Sequence, residues 1–259
     1  MDFFSALSIL RKLLPTLHAF MNIAIDYGNS SAKVGVFDGR KLVEHRIFPV
    51  VDNLRSFLEN FSGDNLIISS VSHDAMEVSS WAHRISNRFI LNPTLPLPIT
   101  NRYATPETLG VDRIAGVCGA QSLFPNKSCL VIDCGTCITF DILDASGHFL
   151  GGAISPGLRM RFQAVHTFTK RLPLVDPVDK ATLIGDSTVS CIQSGVINGL
   201  IAEIDGIVAQ YRAQFPDLQV ILTGGDARFF ENKLKAPIFA VPELVLSGLN
   251  SILIHNARS

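Results

Sequence analysis

The sequence predicts an α/β protein made of two related subdomains, and three observations carry that prediction. Strand-like and helix-like stretches alternate along the chain, and a strand–turn–strand pattern near the start recurs about a hundred residues later. No low-complexity linker divides the halves, so the subdomains are expected to pack closely. Of 259 residues, 47% are hydrophobic and 17% charged, which supplies a large core for a chain with a formal net charge of -1.

The elements follow in order. "MNIAIDYG", "SAKVGVFDG" and "KLVEHRIFPV" read as three strands joined by polar or glycine turns, "VDNLRSFLENF" as a helix and "NLIISSV" as a fully buried parallel strand. "SSWAHRIS" then reads as helix and "RFILN" as strand, before a proline-bearing loop that leads to a helix opening at Asp112 in "VDRIAGVCGAQSLF". The order restarts with the strands "SCLVIDCG", "CITFDILD" and "HFLGGAISPG". A mostly helical stretch follows from about Leu158 to Tyr211, then the strand "LQVILTGG" and a terminal helix from Glu243. Residues 1–20 precede a second methionine, Met21, at which the strand pattern begins cleanly. With Arg11 and Lys12 after its apolar part, this extension fits a secretory signal poorly. The expected division is 1–20 extension, 21–115 first subdomain and 116–259 second subdomain with dimerisation helices.

Composition narrows the partners. The 22 basic and 23 acidic residues form no basic run, so neither nucleic acid nor a membrane surface is implied, and no eighteen apolar residues run uninterrupted. Cys118, Cys129, Cys134, Cys137 and Cys191 are odd in number and sit in apolar patterns, which points to free thiols and a cytoplasmic location. Cys134 and Cys137 form a C-x-x-C, but it begins in a strand–turn–strand and not at a helix N-terminus, so a redox role is not expected. The histidines lack metal-ligand spacing.

The repeat carries the chemistry. Ile25-Asp26-Tyr27-Gly28-Asn29 matches Ile132-Asp133-Cys134-Gly135-Thr136, and in both a second strand follows and turns at an acid and a glycine. Two such turns can lend backbone N–H groups and small hydroxyls to the oxygens of a polyphosphate. Each aspartate is placed to hold a cation that neutralises those oxygens. Hairpin turns also favour aspartate and glycine, but the matching register of the pair favours nucleotide binding in one cleft.

"DYGNSSAK" and "DCGTCITFD" resemble the two phosphate motifs of the acetate and sugar kinase, Hsp70 and actin superfamily, and "LTGGDA" resembles its adenosine motif. With "YATPETLGVDRIAG", "FTKRLPLV", "IGDSTVSCIQSGVINGL" and "PELVLSGL", the set is similar to type III pantothenate kinase from Met21 to Leu249. The resemblance implies two ribonuclease H-like subdomains, the actin-like ATPase fold, facing a central nucleotide cleft. It implies phosphorylation of pantothenate by ATP, the first step toward coenzyme A. Asp26, Tyr27, Gly28, Asn29, Ser30, Ser31, Ala32 and Lys33 would then hold ATP, Asp26 through Mg²⁺, with Thr136 donating a hydroxyl. Asp133 would bind a monovalent cation, potassium or ammonium. Tyr103, Gly110, Val111, Asp112, Arg113 and Thr188 would line the pantothenate site, with Asp112 as the base.

Two other readings remain open on the residues: another small-molecule kinase of the superfamily, or a non-catalytic nucleotide-binding regulator. Retention of Asp26, Asp112 and Asp133 argues against the regulator. The apolar recurrence of Val189, Ile192, Val196, Ile197, Leu200 and Ile204 predicts a symmetric homodimer through that helix.

Overall fold

Apolar β-formers with one carboxylate near the end make β1 (Met21–Tyr27), in which only Asp26 is not fully buried. The computed structural model that contains it describes residues 21–29, 31–235 and 237–257. The N-terminal extension of residues 1–20 and the phosphate-motif residue Ser30 lie outside them. Two compact units result, one of Met1–Pro96 with Leu249–Ser259, the other of Leu97–Gly248.

In the first unit β1 pairs antiparallel with β2 (Ala32–Asp38), which pairs antiparallel with β3 (Lys41–Phe48). On its other side β1 lies parallel to β4 (Asn65–Ser70), and β4 parallel to β5 (Asn87–Ile90), giving the order β3-β2-β1-β4-β5. Helix α1 (Val51–Asn60) buries Leu54 and Leu58 against this sheet, as its helical spacing predicts. Helix α2 (Ala75–Trp81) lies earlier than the sequence suggested, because the Asp74 side chain accepts the Met76 N–H and starts the helix there.

The second unit repeats that topology. Strand β7 (Cys129–Cys134) pairs antiparallel with β8 (Cys137–Leu143), and β8 antiparallel with β9 (His148–Pro156). Strand β10 (Gln219–Thr223) runs parallel to β7, and β11 (Phe239–Ala240) parallel to β10. The short strand β6 (Thr100–Asn101) adds to the free side of β9, so the order is β11-β10-β7-β8-β9-β6. The repeat seen in sequence is therefore a repeat of strand order and direction.

Helix α3 (Val111–Leu123) starts one residue before Asp112, with Gly110 at its N-cap. It belongs wholly to the second unit, so the chain divides elsewhere than after residue 115. The reason is close packing: a Cβ on Gly248 would lie 1.8 Å from the Ala115 carbonyl oxygen, and one on Gly119 would lie 2.5 Å from that of Leu244. Leu244 and Gly248 lie at the start of α6 (Leu244–Ala257), whose remainder, from Leu249, is counted with the first unit.

The helical stretch expected from Leu158 to Tyr211 is two helices, α4 (Leu158–Thr167) and α5 (Thr188–Gln214), joined by an irregular segment that holds Pro173 and Pro177. A capping box between Ser187 and Ser190 starts α5. By length and composition alone α5 could cross a membrane, but it lays Ile192, Val196, Ile197, Leu200, Ile204 and Val208 into the unit's own core. Five of the six residues expected to form a dimer face are therefore spent internally, and only Val189 is exposed.

At the amino ends of the first unit's strands lies a chain of asparagines. Asn87 Nδ2 donates to Asn65 Oδ1, Asn65 Nδ2 to Asn22 Oδ1, and Asn22 Nδ2 to Asn250 Oδ1, at 2.8–3.0 Å. Asn250 Nδ2 ends the chain on the Gly39 carbonyl at 2.9 Å. Because Asn22, Asn65 and Asn250 are buried, deleting the middle member strands two polar groups away from water. Asn22→Ala is expected to lower unfolding free energy by roughly 2–4 kcal/mol in urea titrations. A change below about 0.5 kcal/mol would show that the asparagine chain is not stabilising.

Candidate active site

The two equivalent turns are built differently. In the first unit β1 delivers Asp26, half-buried and in register with Lys33, to a turn in which the Gly28 N–H donates to the Ser31 carbonyl at 3.1 Å. The turn after β4 braces it from outside. The Val71 N–H donates to the Tyr27 carbonyl at 3.1 Å, and Ser72 Oγ donates to the Gly28 carbonyl at 2.7 Å. The Tyr27 ring stacks on His73 with centroids 4.3 Å apart. Tyr27 and Ala32 are buried, so what they can offer a ligand is backbone, whereas Asn29 is exposed.

In the second unit the turn is tighter, with only Gly135 and Thr136 between the strands. The Gly135 N–H donates to the Cys137 carbonyl at 3.0 Å, and the Thr136 side chain is exposed. Glycines support this turn. A Cβ on Gly157 would lie 2.4 Å from the carbonyl oxygens of both Gly135 and Thr136. Gly224 sits at φ +95, a conformation side chains disfavour, and a Cβ there would lie 2.4 Å from Asp133 Oδ1. The Asp226 N–H donates to the Cys134 carbonyl at 2.8 Å, tying "LTGGDA" to the same turn. Burial pushes the Asp226 carboxyl up, against the opposing charge of Arg159.

These surroundings fit a hard cation. Asp133 brings a half-buried carboxylate against Gly224 and Gly135, whose lack of side chains lets their backbone come close to its Oδ1, with the Cys134 carbonyl beside Gly224. Among the described residues no three His, Cys, Asp or Glu side chains gather as a metal cage. The donor set therefore suits a cation that takes its other ligands from phosphate oxygens and water.

A third cluster lies on α3. Asp112 is exposed in the first turn, and its Oδ1 accepts the Arg113 N–H at 2.9 Å. It is not the N-cap, which is Gly110, and a Cβ on Gly110 would lie 2.5 Å from that same Oδ1. Arg113 points the other way, into the unit. Its Nε and Nη2 both donate to Asp141 Oδ1, at 2.9 and 2.6 Å, and its guanidinium carbon lies 5.5 Å from the centre of the Tyr103 ring. Burial disfavours the Arg113 charge, but the bonds and charge of Asp141 outweigh it and hold the guanidinium above its ordinary value. Burial also raises the Asp141 carboxyl, against the lowering effect of Arg113.

The type III pantothenate kinase profile matches residues 22–210 of this chain. The chain belongs to the type III pantothenate kinase family. A type III pantothenate kinase of Christiangramia forsetii is 44% identical over 246 residues, covering 91% of this chain and 99% of that protein. Solved structures agree on the fold. A Baf family transcriptional activator from Campylobacter jejuni aligns with a TM-score of 0.63 at 22% identity, covering 92% of this chain and 100% of that one. The activator of 2-hydroxyisocaproyl-CoA dehydratase from Clostridium difficile, with bound ADPNP, aligns at 0.53 with 12% identity, covering 92% and 96%. The chain thus has the actin-like ATPase fold. As a type III pantothenate kinase it is an ATP-dependent enzyme of the first step of coenzyme A biosynthesis.

Within this family member, Gly110, Val111, Asp112 and Arg113 form one helix start, and Tyr103 packs onto it through Arg113. Thr188 is exposed at the first position of α5, beside its N-cap Ser187. Cys134 is buried, and burial first, then Asp133 and Asp226, push its thiol far up. Sequence reasoning missed Asp141, although a lone carboxylate amid the apolar strand "CITFDIL" was a visible signal. It also missed Gly157, whose only signal was its place after a strand-ending proline.

Gly224→Ala tests the glycine support. The methyl group meets both a disfavoured φ and the Asp133 carboxylate, so a stability loss of about 1–3 kcal/mol is expected. The KM for ATP should rise at least about tenfold while the KM for pantothenate changes little. Unchanged ATP kinetics would remove Gly224 from the site.

Proposed function

We propose that Asp112 is the base of the pantothenate kinase reaction, with Asp26 and Asp133 holding the cations that accompany ATP. The observation that carries this reading is the start of α3. There an exposed carboxylate is fixed by its own neighbour's N–H, beside a buried and charge-paired arginine. Phosphoryl transfer passes through a loose transition state that needs alignment and charge neutralisation more than covalent help. Asp112 orients the terminal hydroxyl of pantothenate and accepts its proton late, as a carboxylate of low basicity can. Arg113 and Tyr103 line the pantothenate site with Gly110 and Val111, and Thr188 contributes a hydroxyl.

Asp26, Gly28, Asn29, Ser30, Ser31 and Lys33 receive ATP phosphates at the first turn, with Tyr27 and Ala32 offering backbone only. Thr136 serves the second turn. Mg²⁺ at Asp26 and potassium or ammonium at Asp133 would offset the negative charge of the phosphate oxygens when bound. The location proposed is the cytoplasm.

We also propose a homodimer, on different residues from those the sequence suggested. Phe168, Leu183 and Ile184 are 86%, 82% and 85% exposed, in or next to the segment that joins α4 to α5. Large apolar groups so open to water suit a partner surface, and a second copy of the chain is the occupant proposed.

Three measurements test these points. Asp112→Asn should lower turnover by roughly two to four orders of magnitude. Its melting temperature should stay near wild type, and retention of more than about a tenth of the turnover would remove Asp112 as the base. Activity should collapse when sodium replaces potassium and ammonium, and Asp133→Asn should imitate that loss. Equal rates in sodium would take Asp133 out of the cation role. Light scattering at micromolar concentration should give a dimer, and Phe168→Glu with Ile184→Glu a monomer. A monomeric wild type at full activity would defeat the dimer.

A further inference from the structure

We propose that Asp141, in the middle of β8, is a positioning residue for the substrate side of the reaction, acting through Arg113. The inference rests on the reading of Arg113 as a pantothenate-site residue and adds to it the group that holds the arginine in place.

Physical constraint makes the assignment. Arg113 is in the first turn of α3, where the helix dipole opposes a positive charge. It is also 9% exposed, so its guanidinium has left water. Asp141, 1% exposed, supplies the opposing charge and takes both Nε and Nη2 on a single oxygen. One edge of the fork is thereby used, and one face lies against Tyr103. Tyr103 also hydrogen-bonds the guanidinium, so what remains for a ligand is the part of the fork that neither partner takes, held in one orientation.

The layer behind is equally constrained. Tyr103 stacks on Phe149 at 6.0 Å with ring planes 6° apart, and its N–H donates to Asn101 Oδ1 at 3.0 Å. Gly151, at φ +101, leaves room for it, since a Cβ there would lie 3.3 Å from the ring. Phe149, Tyr103, Arg113 and Asp141 thus form a continuous stack from β9 to β8.

Stability alone does not call for this arrangement. A buried ion pair is often replaceable by apolar residues of similar volume without loss of stability. Its use here is orientation. A planar guanidinium presenting one defined edge matches a carboxylate, and pantothenate carries one. The class of group read by this edge is therefore the substrate's anionic end.

The test is a double-mutant cycle in steady-state kinetics with pantothenate and ATP varied separately. Asp141→Asn is expected to raise the KM for pantothenate about tenfold or more, with the KM for ATP within about twofold and kcat within about threefold. Arg113→Met should raise the pantothenate KM as well, and adding Asp141→Asn to it should give no further rise. A pantothenate KM that Arg113→Met leaves unchanged overturns the role of Arg113 itself. A raised KM in Arg113→Met with a wild-type KM in Asp141→Asn overturns the present inference alone, as does an additive double variant. If Asp141→Asn does not fold, Arg113→Met with Asp141→Leu is compared with Arg113→Met. Equal pantothenate KM values support the assignment, and a further rise in the pair overturns it.

Discussion

Burial of a central strand on both faces is the constraint from which the site follows. In β1 and β7 the two buried faces pack against different neighbours, so a slip by one residue would move Ile23 and Ile25, or Leu130 and Ile132, from the clusters that they fill to the opposite face. Each strand therefore delivers its aspartate to one place, at the carboxyl end of the sheet. Asp26 and Asp133 are the less buried exceptions in strands otherwise withdrawn from water. A carboxylate tolerated there needs hydrogen-bond donors or a cation.

Equivalent topology has been given unequal support. The first turn is held by polar side chains from the neighbouring strand's exit, with Ser72 bonded to the Gly28 carbonyl and His73 stacked on Tyr27. The second is held by the absence of side chains, with Gly157 and Gly224 allowing backbone to approach the Gly135–Thr136 carbonyls and the Asp133 carboxylate. A turn of two residues leaves no room for the first solution. The cluster at the start of α3 uses a third, a buried ion pair under an aromatic ring, which suits a group that must be oriented and not merely tethered.

Much of this was legible along the chain. The strands and their succession along the chain follow from apolar periodicity and from the recurrence of Asp-x-Gly, and α1 lies where its helical spacing put it. Where the reading failed, a local competitor decided. Asp74 started α2 earlier, and α3 opens at Val111 behind its cap Gly110, one residue before Asp112. In the long helical stretch the composition was read correctly as apolar, but Ile192, Val196, Leu200 and Ile204 face the unit's own sheet and helices. Periodicity reports that a face is buried and is silent on what buries it.

By itself the sequence determined the two hairpins that end in carboxylates, the helix start that carries Asp112, and membership of a kinase family through motifs that are local in the chain. It could do so because turns, caps and strand ends are chosen by neighbours a few residues away. Tertiary structure alone decided that Arg113 meets Asp141 twenty-eight positions later, that Tyr103 covers the pair, and that Gly224 lies against Asp133. Those contacts join residues whose separation along the chain carries no periodic signal. They exist only once the strands have paired and brought one side chain's charge into another's dry surroundings.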